Sequence, residues 1–380
     1  MQFCRVLIAP ANFNRYVIMN KFLVQKFLYV LILLSPCICN AEILKVGVIS
    51  AFSGPAAANG IAIQNSIELA RKDKPESFSN IEFIYEDAGY DSARAVAAYS
   101  KLKNIDGVKL FYIWGVSFCN PIAPLANEDN VLIICQGIEQ KNYNKTKNIV
   151  RFMNVTDDYA ITLLSYFRAK GWKKIGIVIT DHLYPEGIYE SLIRNLKKGE
   201  EVIVVDRYPT GFADMSTTVT KLARSKFDAI GVFLTPGQIG QFYKRLAQQN
   251  VSTPTFGTNY FENYDEIKLG GITMNGAIYV HNLVSSKYIE RYQMIFGNQS
   301  QLAFGGMAYE FASLVGDTFN IEGNNLSSNE MQEKLKKIKY REGKVMGIFG
   351  YTETEIGGKY FNFPIAIKMV KDGGSVVIKD

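Results

Sequence analysis

Only two histidines, His182 and His281, occur in the 380 residues, so neither a zinc-protease helix nor a His-rich metal cluster can be assembled from this chain. No phosphate loop of the form G-x-x-x-x-G-K-[ST] is present; Gly357-Gly358-Lys359 has neither the spacing nor a helix after it. The run Gly115-Val116-Ser117-Phe118-Cys119 follows a strand-like segment and approaches the nucleophile-elbow pattern, but its last glycine is missing. A hydrolase at Ser117 would nominate Asp228 and His281 as acid and base, and nothing in the sequence brings them to it. The other chemistry open to Ser117 is recognition. Asn120-Pro121 just beyond it reads as a helix start, where a hydroxyl and backbone amides receive an anion such as a carboxylate. A serine that only caps its own helix is the competing reading. No catalytic residue, metal or cofactor is assigned.

Elements of a definite kind must position these residues. Leu44–Ser50, Ile81–Glu86, Val108–Trp114 and Val131–Cys135 are short, apolar and rich in β-branched or aromatic residues, as buried strands are. Helical periodicity separates the first three: Ile63, Ile67 and Ala70 after the first, then Val96, Tyr99 and Leu102 behind the cap at Asp91-Ser92. The rhythm breaks near Arg151–Asp158 and restarts with strands at Lys174–Thr180, Glu201–Asp206, Asp228–Leu234 and Pro254–Gly257. Helices are expected at Gly187–Leu196, Met215–Ala223 and Ile239–Gln248. Continuous apolar strands joined by helices make parallel sheets covered on both faces, and two series make two doubly wound α/β lobes. Beyond Gly276–Asn282 the pattern turns to helices at Ser286–Phe296, Gly305–Asn320 and Asn329–Lys339. A hairpin of Phe361–Met369 and Ser375–Lys379, turning through Asp372-Gly373-Gly374, follows. In such sheets ligands sit beyond the carboxyl ends of the strands, which draws attention to Ser53-Gly54, Ser117 and Gln136-Gly137.

The first 41 residues read as an address. Lys21 and Lys26 precede the apolar run Phe27–Leu34, and small residues lead to Ala41, the pattern of a cleaved secretory signal with its start at Met19. The run is too short for a lasting membrane span, although an uncleaved anchor is the alternative. The chain carries a net charge of +6, but four of its cations and none of its acids lie in residues 1–41, so the remainder is close to neutral at +2. That is no footprint for nucleic acid. A composition of 48% hydrophobic and 21% charged residues excludes disorder and a polytopic membrane protein. Three of five cysteines fall in the signal, which leaves Cys119 and Cys135 at the ends of neighbouring segments. An oxidising compartment permits a bridge between them, while two buried free thiols are the slightly favoured reading because sequence does not show their separation.

Together these pieces resemble the type I periplasmic solute-binding proteins of ABC importers, specifically the leucine/isoleucine/valine-binding family. The resemblance rests on Lys45-Val46-Gly47-Val48 followed by Ser53-Gly54-Pro55 and Gly60, and on Tyr85-Glu86-Asp87-Ala88-Gly89-Tyr90-Asp91 with Ala95-Val96. It continues through Val131–Ile134, Arg151, the run Thr180–Gly187, and Asp214 before Lys221-Leu222, in order along the mature chain. It implies a Venus-flytrap of two lobes joined by a three-segment hinge, with crossings near Arg151–Val155, Val280–Asn282 and Met346–Gly350. The lobes would then be 42–151 with 282–346, and 152–281 with 347–380. It also implies that an amino-acid carboxylate is held by Ser117 and the Gln136–Glu139 turn, including Gly137. Asn59, Trp114 and Phe304 match side-chain pocket positions, and Tyr184 matches a tyrosine from the second lobe.

Departures from the family bear on the ligand. Where amino-acid binders place an acid for the ammonium group, this chain has Asn259, beside Tyr260, with Glu262 as the substitute if the loop shifts. An amide does not neutralise a buried ammonium. A family tyrosine is replaced around Thr235-Pro236, and Gly89 stands in place of a half-cystine. The expected function is therefore a periplasmic solute-binding protein that captures a small amino acid, carboxylate or amide and delivers it to an inner-membrane permease. Monomeric or weakly dimeric assembly goes with that role. A ligand-sensing protein for a signalling partner is the alternative, and a serine hydrolase at Ser117 a more distant one.

Overall fold

The protein is described here by a computed structural model covering residues 42–137, 146–212, 214–298, 300–353 and 358–378. The signal reading over residues 1–41, and Ile138 and Glu139 of the expected carboxylate turn, lie outside the described residues. The chain first lays down β1 (Leu44–Ser50), α1 (Ala57–Asp73), β2 (Ile81–Asp87), α2 (Ser92–Asn104), β3 (Leu110–Trp114), α3 (Val116–Asp129), β4 (Leu132–Gln136) and β5 (Ile149–Arg151). The second series is α4 (Thr156–Lys170), β6 (Lys174–Thr180), α5 (Leu183–Arg194), β7 (Glu201–Tyr208), α6 (Ser216–Ala223), β8 (Ala229–Phe233), α7 (Ile239–Gln248), β9 (Thr255–Gly257), α8 (Tyr264–Gly270) and β10 (Ile278–Asn282). Then come α9 (Ser286–Phe296), α10 (Leu302–Phe319), α11 (Ser328–Lys336), β11 (Arg341–Glu342), β12 (Ile348–Glu353), β13 (Lys359–Asn362), β14 (Ile365–Lys371) and β15 (Gly374–Val377).

The strands form two sheets, ordered β11-β12-β13-β5-β4-β3-β1-β2 and β15-β14-β10-β9-β8-β6-β7. Each has a parallel centre because its strands are joined by helices: β1 pairs β2 and β3, and β6 pairs β7 and β8, all parallel. Every residue of β3, β4, β8 and β10 is buried, as sheets covered on both faces require. The strand order reverses between β3 and β2 around β1, and between β8 and β7 around β6. Those reversals open crevices at the carboxyl ends of the strands, the usual place for a ligand.

Three segments connect the sheets. Residues 152–155 lead from β5 to α4, and the chain leaves β10 after Asn282, both near the expected crossings. The third differs from the expectation of Met346–Gly350. Strands β12 and β13 still belong to the first sheet, with Tyr360 opposite Arg151, so the chain returns to the second sheet at Phe363-Pro364. Pro364 has no amide to donate, so the single strand expected over Phe361–Met369 divides there into β13 and β14. The crossings are tied together by asparagines. Asn154 donates to Asn362 Oδ1 (2.5 Å) and to the Phe363 carbonyl (3.1 Å), and its own oxygen accepts from Asn282 Nδ2 (2.7 Å). The β14–β15 hairpin turns as expected, with Asp372 and Gly373 both at positive φ (50° and 79°).

Candidate ligand-binding site

Strand β3 ends at Trp114, and Gly115, at φ 94°, turns the chain into α3, a conformation that favours glycine. The helix begins at Val116, four residues before the expected start at Asn120-Pro121. Pro121 is accommodated because the carbonyl it cannot serve, that of Ser117, accepts instead from Ser92 Oγ (3.1 Å). Cys119 in α3 is bonded to Cys135 in β4 across a Cα separation of 6.2 Å, so the free-thiol reading is replaced by a disulfide. The bridge fastens the first turn of α3 to the end of β4. At Gly137 a side chain would meet Cys135 Sγ at 2.9 Å and the Val116 amide at 3.1 Å, so the close approach of the two segments needs a glycine.

A narrow cavity of about 20 Å³ lies beyond these strand ends, between the two sheets. That is far below the roughly 300 Å³ of small-molecule sites, so the walls must part to admit a ligand. Trp114, Gly115, Val116, Gln136, Gly137 and Met153 wall one side, Phe304 of α10 another, and Tyr184, Asn259 and Tyr260 come from the second lobe. Of the residues singled out in the sequence, Trp114, Gly137, Tyr184, Asn259, Tyr260 and Phe304 therefore meet around one space. The rings are arranged edge to face: Trp114 on Phe304 at 6.0 Å and Tyr184 on Tyr260 at 5.0 Å.

Three expected residues do not line the cavity. Asn59 is buried in α1 and donates to the Ala56 carbonyl (3.0 Å), and Thr235 is buried against Gln238 Oε1 (2.7 Å). Ser117 lies one residue past Val116, a rotation of about 100° along a helix of 3.6 residues per turn. That rotation turns its hydroxyl away, to His182 Nε2 at 2.9 Å across the lobes. Glu262 is also taken: its carboxylate accepts from Lys368 Nζ (2.8 Å) and from the Tyr279 hydroxyl (3.3 Å), and so does not substitute at Asn259. Met153 was not singled out as a binding residue, and Gly115 and Val116 drew attention only as part of the elbow-like run around Ser117. The glycine at the strand–helix junction is the signal that would have pointed to Val116 as the residue facing the strand ends.

The Ser117–His182 pair does not make a nucleophile. His182 caps α5 by accepting the Tyr184 amide at Nδ1 (3.3 Å), which leaves the proton on Nε2, facing Ser117. A base would have to accept at Nε2. Asp228 accepts the backbone amides of Lys173 and Lys174 (2.8 Å each) at the start of β6, the opposite end of that strand from His182. Burial lowers the His182 imidazole to about 4, so the ring is neutral near pH 7. Tyr90 stacks on it at 5.7 Å, lies 6.1 Å from Trp114, and is pushed up to about 12 by burial, with a hydrogen bond from Tyr260 opposing. Ser117, Tyr90 and His182 thus form a contact between the lobes beside the cavity.

Polar groups in the cavity wall are few and uncharged among the described residues. Gln136 Nε2 donates to the Phe304 carbonyl (2.8 Å), which fixes the amide's orientation and leaves Oε1 buried without a partner. Burial raises the Tyr184 phenol, opposed by hydrogen bonds from the Asn259 backbone and the Thr258 side chain. The hydroxyl donates to Asn259 Oδ1 (2.6 Å), and Asn259 Nδ2 is left buried and unpartnered.

Comparison with known proteins agrees with this geometry. Residues 43–373 match the family described as periplasmic binding protein. A Leu/Ile/Val-binding protein of Citrobacter freundii is 26% identical over 253 residues, 63% of this chain and 67% of that one. A leucine-binding protein of Thermotoga maritima superposes with a TM-score of 0.78 at 18% identity, covering 89% of this chain and 98% of the other. A solute-binding protein of a Rhodopseudomonas palustris ABC transporter, solved with benzoate, superposes with a TM-score of 0.74 at 17% identity over 89% and 96%.

Proposed function

Because this chain belongs to the periplasmic binding protein family, we propose that it is the solute-binding subunit of an ABC importer. It captures one small organic ligand between its lobes by hinge closure and hands it to an inner-membrane permease. The observation that carries this reading is the cavity, whose wall combines Trp114, Gln136 and Phe304 of one lobe with Tyr184, Asn259 and Tyr260 of the other. A ligand touching both sets binds the closed arrangement better and shifts the hinge equilibrium by that difference in affinity. Micromolar affinity corresponds to about −8 kcal/mol, within reach of aromatic enclosure and a few hydrogen bonds. No bond is broken, and the geometry at Ser117 favours no hydrolytic step. The Cys119–Cys135 bridge fits an oxidising, extracytoplasmic compartment reached through the signal segment. The names of the relatives bracket the ligand: branched amino acids in the Citrobacter protein, benzoate in the Rhodopseudomonas one.

Closure gives the test. The mature protein, mixed with a fractionated small-molecule extract, should contract in solution X-ray scattering with one fraction and change Trp114 emission with the same fraction. Trp172 is the only other tryptophan, so Trp114→Phe should remove the emission change. A radius of gyration that no fraction alters would contradict the proposal.

A further inference from the structure

The reading as a solute-binding protein leaves the ligand's head group open, and two side chains narrow it. Gln136 Oε1 is an acceptor with no donor, Asn259 Nδ2 is a donor with no acceptor, and both residues are fully or almost fully buried in the wall of one cavity. Neither orientation is arbitrary. The Gln136 nitrogen faces a carbonyl, which only accepts, and the Asn259 oxygen accepts from the Tyr184 hydroxyl at 2.6 Å. Leaving such buried groups unmatched is costly, so a ligand that satisfies both gains what a ligand satisfying one does not.

We propose, resting on the solute-binding reading, that this cavity selects an uncharged carboxamide or cyclic amide on an apolar or aromatic body. The ligand carbonyl accepts from Asn259 Nδ2 of the second lobe, and its N–H donates to Gln136 Oε1 of the first. An amide carries both functions on adjacent atoms and so bridges the lobes with one head group. A carboxylate offers only acceptors and sets negative charge against the Gln136 oxygen. An α-amino acid brings an ammonium to a wall with no anionic side chain among the described residues, since Glu262 is occupied by Lys368. Trp114, Phe304, Tyr184 and Tyr260 supply the faces for the body of the ligand.

Isosteric probes test this by calorimetry on the mature protein: benzamide against benzoate, 4-methylpentanamide against 4-methylpentanoate, and L-leucine. Each amide should bind at least ten-fold tighter than its carboxylate, with leucine undetected. Gln136→Met should cost amide affinity ten-fold or more while sparing the carboxylates, and Asn259→Asp should weaken both classes and admit leucine. Circular-dichroism melts confirm that the variants fold. Tighter binding of a carboxylate or of leucine by the unmodified protein overturns the amide class and leaves solute capture standing. Silence from every probe also overturns the class for bodies of this size, and the scattering experiment with extract fractions then judges solute capture separately.

Discussion

Lys368 and Glu262 show what a single buried pair does to this binding protein. Their side chains are 7% and 9% exposed, 2.8 Å apart, and the Tyr279 hydroxyl adds a second contact to the carboxylate. Two charges removed from water are tolerated because each is the other's solvation, and removing one partner strands the other at a cost of about 3–5 kcal/mol. Glu262→Gln should therefore lower the unfolding free energy by that amount, read as a fall in the urea midpoint, while Lys368 stays buried. Adding Lys368→Met to Glu262→Gln should recover much of the loss. If the single variant were as stable as the parent, the pair would be only a contact and not a constraint on the loop after β9. The pair also leaves Asn259 as the polar residue of that loop in the cavity wall.

At the scale of elements, helix α5 matters most, because its cap spans the lobes. His182 accepts the Tyr184 amide at one nitrogen and meets Ser117 and Tyr90 with the other. Only the neutral ring does both. Its value falls from an ordinary 6.5 to about 4 through burial. The unfolded chain thus takes up this proton first as pH drops. The contribution is complete above pH 6.5 and is lost progressively as pH falls towards 4, about 3 kcal/mol in all. His281, also pushed down by burial, acts in the same direction. Glu266 and Glu310, buried and raised, act in the opposite one. Comparing thermal melts of His182→Gln and the parent between pH 7 and 4 isolates the histidine: the variant's stability should fall less steeply. Parallel curves would mean that His182 protonates freely. The Cys119–Cys135 bridge works at the same scale, holding α3 to β4 so that Val116 and Gln136 keep their places.

Across the whole molecule, two sheets share three crossings, and Asn154 joins them. Its amide reaches Asn362 and Phe363, and its oxygen receives Asn282, whose own oxygen accepts from Tyr159 (2.6 Å). Asn154→Ala leaves Asn282 Nδ2 without its closest acceptor. Stability should drop by roughly 1–3 kcal/mol, and the variant should give a broader solution-scattering distance distribution. An unchanged urea midpoint would show that the crossings are held by other contacts.

Much of this was legible along the chain because the physics involved is local. Apolar runs of strand length alternating with helical periods marked two parallel sheets, and strand ends pointed to Gln136 and Gly137, which line the cavity. Asn259 in place of an acid was visible through the family resemblance, which implies an acid at that position. What was not legible depends on partners far apart in sequence or on a single step of helical phase. Ser117 was expected in the site, but α3 starts early and presents Val116 there instead. Glu262 was a candidate until Lys368, 106 residues later, claimed it. His182 became a lobe contact only by meeting a serine 65 residues away. The third crossing moved to Phe363-Pro364 because β13 pairs with β5, and one strand pattern serves either sheet. Periodicity and composition determine which elements form and which faces they bury. Which side chains then meet in the cavity was decided only by long-range pairing, because no local pattern encodes distance in space.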